Sequence, residues 1–247
     1  MTDGRIVRIN GQWDLWLPEH RAARPEWTST EGWERKRIDS MFANLKPGMC
    51  LFDIGAEEAD MCGLWASWGC DVVLVEPNPR VWPNAKAIFE ANGLTPRGWF
   101  VGFAGTIETC PQSAEGWQTA RDGWPRCAYG EVIGDHGFCQ LNERPDIPCT
   151  TIDALARQFG DPDALTLDVE GSELEVLLGA HRVLKEVQPL LWISVHPHFM
   201  ADSYQRSVSR LWNELDAYGY KWRLLDYDHE LHVFAWVPGK HEPVLPE

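Results

Sequence analysis

An apolar strand that ends in a glycine turn, followed by a second strand that ends in an acid, most constrains the fold of this chain. An apolar run leads into Asp53-Ile54-Gly55-Ala56, a helical segment follows, and a second apolar run ends at Glu76. Strand, turn, helix and strand in this order form the first half of a nucleotide-binding α/β sheet, where ligands bind beyond the carboxyl ends of the strands. We therefore expect Asp53, Gly55 and Glu76 to line one crevice, with Glu76 accepting hydrogen bonds from the ribose of an adenosine.

The residues after the glycine indicate which adenosine cofactor fits. The pyrophosphate of a dinucleotide needs a G-x-G-x-x-G turn and a helix N-terminus that attracts anions. Here one glycine is followed by Glu57, Glu58 and Asp60. Carboxylates are common at helix N-termini because they complement the helix dipole, but they repel phosphates and suit the sulfonium and ammonium groups of S-adenosylmethionine. The turn and Glu76 together favour S-adenosylmethionine over NAD.

A second block, residues 164–180, has the sequence Ala-Leu-Thr-Leu-Asp-Val-Glu-Gly-Ser-Glu-Leu-Glu-Val-Leu-Leu-Gly-Ala. It resembles the signature of the FkbM-type methyltransferase family, a strand ending in Asp-x-Glu-Gly and a helix with Glu-x-x-x-Leu-x-Gly-Ala. Four further family elements, Asp-x-Gly-Ala, Glu-Pro, Thr-x-Asp and Val-His, resemble the segments at residues 53–56, 76–77, 151–153 and 195–196. The resemblance covers about residues 45–200.

Two departures from the family pattern lie at predicted site positions. The family usually has Asn and then Gly where this chain has Glu57 and Ala59, and often Glu where it has Ser194. The resemblance implies an α/β fold, the Rossmann-like class I methyltransferase sheet, with seven strands, a C-terminal antiparallel hairpin and helices on both faces. We place an N-terminal arm and helix at residues 1–45 and the methyltransferase domain at 46–247.

The fold and the resemblance together predict a cofactor site. The glycine turn holds the methionine end of S-adenosylmethionine, Glu76 holds the ribose, and the end of the third strand packs on the adenine. The predicted cofactor-binding residues are Asp53, Gly55, Ala56, Glu57, Glu76, Pro77, Phe103, Ala104 and Asp168.

The predicted catalytic residues are Asp168 and His196, which end two strands that we expect to be neighbours. Methyl transfer to an alcohol requires the hydroxyl to lose a proton, and a histidine with a near-neutral pKa is a natural base. Alternatively, Asp168, Glu170 and His196 bind a divalent metal that lowers the pKa of the hydroxyl. Instead of a role in the site, Glu170 can be assigned a purely structural role, in which it caps the helix that starts near Ser172.

The segment from about residue 104 to 146 is rich in Gly, Pro and Trp and has neither helical nor strand periodicity. Its position predicts an excursion at the carboxyl edge of the sheet, where acceptor-binding loops lie. Planar indoles can stack on sugars or aromatic acceptors. The predicted wall of the acceptor site consists of Trp99, Trp117 and Trp124. His136 and His198 are further candidate bases.

Composition excludes several classes of function. The net charge of −15 argues against nucleic acid as a partner, because phosphate binding requires a basic surface. The basic cluster Arg35-Lys36-Arg37, on a helix predicted at about residues 31–44, is interpreted as a solvated face. The sequence has no apolar run of membrane-spanning length and no signal segment. Seven cysteines without a C-x-x-C motif predict free thiols and a cytoplasmic location.

The resulting hypothesis is an S-adenosylmethionine-dependent O-methyltransferase that acts on a hydroxyl of a sugar or glycan. One alternative is metal-assisted O-methylation of a small aromatic or polyketide hydroxyl. Another is a catalytically silent nucleotide-binding module. We expect a small-molecule or glycan acceptor and neither nucleic acid nor membrane as a partner. The sequence does not specify the oligomeric state.

Overall fold

The computed structural model of the protein describes residues 3–28, 34–78, 80–106, 118–119, 124–126 and 147–245. Its strands are β1 (Gly4–Ile9), β2 (Trp13–Pro18), β3 (Cys50–Ile54), β4 (Asp71–Val75), β5 (Gly98–Phe100), β6 (Phe103–Ala104), β7 (Gln118–Thr119), β8 (Pro125–Arg126), β9 (Cys149–Thr150), β10 (Ala164–Asp168), β11 (Leu190–Val195), β12 (Lys221–Tyr227) and β13 (Leu231–Trp236). Its α-helices are α1 (Glu19–Ala22), α2 (Arg35–Asn44), α3 (Asp60–Ser67), α4 (Trp82–Ala91), α5 (Ile152–Phe159), α6 (Glu173–Leu178), α7 (Pro197–Tyr204) and α8 (Val208–Ala217).

Seven strands form one central sheet in the order β12-β13-β11-β10-β3-β4-β5. The five strands from β11 to β5 are parallel, whereas β13 is antiparallel to both β11 and β12. The predicted α/β sheet with a C-terminal antiparallel hairpin is therefore confirmed. The chain leaves the adjacent strands β3 and β10 in opposite directions across the sheet, which opens a crevice at their carboxyl ends.

The central strands are buried on both faces, as expected for parallel strands covered by helices. Every residue of β3 and β11 is buried. Alternate residues of β3 point to opposite faces, so Leu51 packs in one hydrophobic cluster and Phe52 in the other. Each such fully buried side chain contributes about 1.5–3 kcal/mol. Trp65 and Trp192, predicted as core residues, are 1% and 0% exposed.

The N-terminal arm is an antiparallel hairpin of β1 and β2, whose turn places Asn10 and Gly11 at φ 49 and 71. Its inward side chains Ile9 and Leu17 are fully buried in the same cluster as α3 and α4. The arm thus covers the helices that flank the cofactor half of the sheet.

Three predicted helix boundaries differ from the structure. Helix α2 begins at Arg35, preceded by Glu34 in a left-handed conformation, and residues 31–33 of the predicted helix lie outside the described residues. Sequence periodicity also predicts one helix at about residues 172–186, but the structure divides this segment into α6 and a π-helical segment, Val183–Val187. It further predicts a helix at about residues 203–217, which in the structure is α8, and it misses the separate helix α7.

The cysteine prediction is wrong in one respect. Cys50, Cys62 and Cys70 are free and buried, but Cys149 is disulfide-bonded. In the described ranges, no helix has both the length and the apolar character needed to cross a membrane.

Candidate active site

A cavity opens at the carboxyl ends of β3, β4 and β10, and every predicted cofactor-binding residue lines it. These residues are Asp53, Gly55, Ala56, Glu57, Glu76, Pro77, Phe103, Ala104 and Asp168. The lining also includes Glu34, Asp60 and Glu170 among its acids and Arg37 as its cation. The cavity is therefore rich in carboxylates, which suits a cationic or neutral ligand better than an anionic one.

The turn after β3 approaches β10 so closely that only glycine fits at position 55. Gly55 has φ +88, and a Cβ built on it would lie 1.8 Å from the carbonyl oxygen of Asp168. The Gly55 and Ala56 N–H groups both donate to the Val75 carbonyl, at 2.9 and 3.1 Å. This turn is thus fixed by main-chain contacts to the strands on both sides of it.

Glu57 and Ala59, which replace the Asn and Gly of the family pattern, both have left-handed backbone conformations. Glu57 has φ 46 and Ala59 has φ 64, a region that Asn and Gly adopt readily and that costs other residues about 1–2 kcal/mol each. The Ala59 N–H donates to the Ala56 carbonyl at 2.7 Å. The chain therefore keeps the turn geometry with less favourable residues.

Glu76 lies where the sequence predicts a ribose ligand, at the end of β4. Its two carboxylate oxygens accept the N–H groups of Glu57, at 2.9 Å, and Asn78, at 2.6 Å. The side chain is buried, and burial raises its pKa to about 8 despite those two hydrogen bonds. A buried carboxylate that faces a cavity without a bonded cation is a suitable acceptor for ligand hydroxyls.

Asp53 ends in the same cavity and is also buried. The Cys62 thiol donates to it, and burial raises the pKa of Asp53 to about 7.

The three acids of the turn are each bonded to the protein, which corrects the electrostatic reasoning from sequence. Arg21 of α1 is fully buried; its guanidinium donates to Asp60 at 2.5 Å and to both carboxylate oxygens of Glu57 at 2.8 and 2.9 Å. Glu58 lies 2.6 Å from His20 and accepts from Asn84. The N-terminal arm therefore partly neutralises these acids, although Glu57 and Asp60 still line the cavity.

Arg37 is a buried site residue, so its interpretation as part of a solvated face is wrong. The side chain is 3% exposed. It donates to Glu34 at 2.5 Å, to Thr166 of β10 at 2.6 Å and to Ser194 of β11 at 3.1 Å, and lies 3.6 Å from the Asp168 carboxylate. Burial alone lowers the pKa of Arg37, but Glu34 and Asp168 raise it, so the cation is permanent.

Asp168 and His196 lie together, as their positions on neighbouring strands predict. The Asp168 carboxylate is 31% exposed within the cavity and lies 3.7 Å from Nε2 of His196. Desolvation at the base of the cavity, followed by the nearby Glu230 carboxylate, raises the pKa of Asp168 well above its usual value. Asp168 therefore connects the cavity to a buried group of charged residues around His196.

His196 is surrounded by carboxylates. Nδ1 lies 2.7 Å from Glu173, and Nε2 lies 2.7 Å from Glu230, 3.6 Å from Glu170 and 3.7 Å from Asp168. Burial alone lowers the pKa of His196, but Glu173 and Glu230 raise it to about 11. These carboxylates favour the protonated form of the imidazole in the ion-free protein, and the general-base role of His196 stays a prediction.

The predicted acceptor wall is not supported for the two tryptophans that the structure describes. Trp99 packs edge-on against Trp82, and Trp124 packs edge-on against Phe89 of α4. Both are partly buried against the hydrophobic core and neither lines the cavity. Trp117 and His136 lie outside the described residues, and His198 is exposed in the first turn of α7.

Sequence reasoning missed four site residues: Arg21, Arg37, Glu173 and Glu230. The burial of Arg37 could have been predicted from the sequence, because Arg37 lies on the apolar stripe of α2 with Ile38 and Met41, both of which are fully buried. An arginine on the apolar stripe of a helix indicates a buried partner. The other three reach the site through tertiary contacts that no local pattern specifies.

The fold is that of the class I methyltransferases. Residues 53–222 match the family model of the methyltransferase FkbM domain, which covers more than half of the chain, so the chain belongs to the FkbM methyltransferase family. No curated protein sequence matches it.

Among solved structures, the fibrillarin pre-rRNA processing protein of Methanococcus jannaschii is 12% identical, with a TM-score of 0.50 over 95% of this chain and 83% of that chain. A methyltransferase FkbM from Methylobacillus flagellatus KT is 18% identical, with a TM-score of 0.49 over 78% of this chain. This chain spans 44% of the length of that protein. TYW2 of M. jannaschii, solved in complex with AdoMet, is 13% identical, with a TM-score of 0.48 over 95% of this chain and 85% of that chain.

Proposed function

We propose that the protein transfers a methyl group from S-adenosylmethionine to a hydroxyl of a sugar or glycan. The observation that carries the donor assignment is Glu76, a buried carboxylate at the end of β4 in a carboxylate-rich cavity that also contains the glycine turn. The cofactor supplies an electrophilic methyl group on a sulfonium. Glu76 would accept the ribose hydroxyls, Phe103 and Ala104 would contact the adenine, and the turn from Gly55 to Glu57 would hold the methionine end.

The acceptor end of the proposal rests on Asp168. Its carboxylate lies in the same cavity, and its main-chain carbonyl packs against Gly55, which places the residue beside the glycine turn. We assign to Asp168 the orientation of the acceptor hydroxyl. The hydroxyl oxygen bonds to the methyl carbon as the carbon–sulfur bond breaks, the sulfur leaves as the thioether of the demethylated cofactor, and the hydroxyl proton passes to water. The excess of carboxylates in the cavity supports a neutral acceptor such as a saccharide and disfavours nucleic acid. A cytoplasmic location stays a prediction.

Donor binding is tested by calorimetric titration with S-adenosylmethionine, its demethylated product and NAD. We expect the first two to bind and NAD not to. Glu76→Gln should weaken donor binding by about 1.5–3 kcal/mol, the range for a hydrogen bond to a charged group. Glu90→Gln, which changes an exposed carboxylate of α4, is the matched control and should bind like wild type. Tight NAD binding, or equal affinities for the two variants, contradicts the donor assignment.

Acceptor class is tested by methyl transfer from labelled S-adenosylmethionine to matched panels of saccharides and of small phenols. Transfer to saccharide hydroxyls, lowered about 10²-fold or more by Asp168→Asn through lost positioning, is the expected result. If methyl is transferred to phenols alone, the acceptor is a small aromatic hydroxyl and the proposal of a saccharide acceptor is wrong. Donor binding without transfer to either panel would favour a silent binding module.

A further inference from the structure

Three carboxylates, two of which (Asp168 and Glu170) line the cavity, converge on one nitrogen of the buried His196 imidazole. The Nε2 atom of His196 lies 2.7 Å from Glu230, 3.6 Å from Glu170 and 3.7 Å from Asp168. Ligand atoms of Asp168, His196 and Glu230 all lie within 4.8 Å of one another. These residues come from the ends of three adjacent strands, β10, β11 and β13, so the sheet itself brings the atoms together.

The other nitrogen of the imidazole is held by Glu173. Its carboxylate is fully buried, lies 2.7 Å from Nδ1 of His196 and also accepts the Gly171 N–H at 3.0 Å. A carboxylate in this position keeps the proton on Nδ1 and turns the lone pair of Nε2 toward the other side. Histidines that bind metals in proteins are oriented in this way.

Glu230 supplies an independent indication that something binds between these groups. The side chain is 5% exposed, yet its Oε2 atom has no hydrogen-bond partner. Oε2 is close to Nε2 of His196, at 2.7 Å, but does not meet the geometry of a hydrogen bond from it. This buried oxygen therefore points at the imidazole without a well-formed hydrogen bond, and a bound cation would supply it with a direct ligand bond.

The spacing of the atoms matches the coordination shell of a small divalent ion. Ligands about 2.1 Å from an ion lie about 3.0 Å apart at adjacent octahedral positions. The separations of Nε2 from Glu230 and Asp168, 2.7 and 3.7 Å, bracket that value. Carboxylates favour hard ions and imidazole favours transition metals, and Mn²⁺ accepts both.

We infer that Asp168, His196 and Glu230 bind a divalent cation of the Mn²⁺ type, with Glu173 orienting the imidazole. The binding site stands on these ligand atoms alone. The consequence for catalysis rests on the function proposed above: through Asp168 the ion would lie beside the acceptor hydroxyl and favour loss of its proton.

The test is a titration of the chelator-treated, full-length protein with MnCl₂, followed by electron paramagnetic resonance without donor or acceptor. We expect one ion per chain and a nitrogen coupling from one histidine in the spectrum of the bound ion. His196→Gln and Glu230→Gln should each weaken Mn²⁺ binding about tenfold or more, and His196→Gln should abolish the nitrogen coupling. Near-ultraviolet circular dichroism checks that each variant is folded. If one of the two variants is unfolded, Mn²⁺ binding is measured with Asp168→Asn in its place.

His229→Gln is the matched control, because Asp228, His229 and Glu230 form a second, more exposed group of possible ligands. It should leave Mn²⁺ affinity unchanged. No saturable Mn²⁺ binding to the wild-type protein, or a loss in His229→Gln equal to that in His196→Gln, would overturn the inference. Donor affinity is measured in parallel: its absence in wild type would defeat the proposed function and leave the ion site standing, so the two failures are distinguishable.

Discussion

Replacing Arg21 by Met should strongly lower the free energy of unfolding, because Arg21 is the buried counter-ion of Asp60. Arg21 is fully buried, and its partner Asp60 has a side chain that is only 3% exposed. Removing the cation leaves the Asp60 carboxylate buried without its counter-charge, which costs about 3–5 kcal/mol. Glu57 adds little to that cost, because its side chain is 56% exposed and can be hydrated.

The free energy of unfolding is measured by urea titration with tryptophan fluorescence. Arg5→Met is the matched control, since it removes an arginine from the same arm whose ion pair with Glu19 is 55% and 53% exposed; it should cost about 0–1 kcal/mol. The double variant Arg21→Met/Asp60→Asn should recover part of the loss, because the buried negative charge is then absent. Equal losses for the two arginine variants, or strict additivity in the double variant, would refute the reasoning.

Three further outcomes follow from the cavity. Because Glu76 has a pKa of about 8 when unliganded and accepts hydroxyls as a carboxylate, donor affinity should fall up to about tenfold per pH unit on going below pH 8; calorimetry of Glu76→Gln should show this dependence removed. The raised pKa also means that the folded state holds a proton that the unfolded state releases above its ordinary pKa of 4.5. The stability of wild type relative to Glu76→Gln should therefore fall by up to about 1.4 kcal/mol per pH unit between pH 5 and 7, as measured by urea unfolding at each pH; a difference independent of pH would contradict the burial of this carboxyl. Finally, Gly55→Ala should abolish donor binding because its Cβ would overlap the Asp168 carbonyl, whereas Gly93→Ala, also at positive φ but with open space around it, should cost only the conformational penalty of about 1–2 kcal/mol.

The sequence was sufficient to predict the sheet and the residues that meet in the cavity at its carboxyl edge. The reason is that a glycine turn and a strand-terminal acid are local features, and the carboxyl ends of parallel strands meet at one edge. Gly55, Glu76 and Asp168 accordingly line one cavity in the structure.

The surroundings of His196 could not be predicted in the same way. Glu230 reaches His196 because β13 pairs with β11 in a register that sets Leu231 opposite Val195, and pairing register between distant strands has no local signal. The sequence therefore predicted a base or a metal ligand at His196 without showing that Glu173 and Glu230 lie against its two ring nitrogens. Arg21 was missed for a similar reason, since only the docking of the N-terminal hairpin brings it to Asp60.

The contact between Gly55 and the Asp168 carbonyl has a consequence for how such an enzyme diversifies. Main-chain atoms of Gly55 and Asp168 set the separation between the glycine turn and the backbone at the end of β10, so side-chain changes at the rim of the cavity do not alter it. Under the function proposed above, loops exchanged at the rim would admit different acceptors while the glycine turn and the backbone of Asp168 keep their relative positions. Laboratory evolution of new acceptors should therefore concentrate on the rim and leave this junction unchanged.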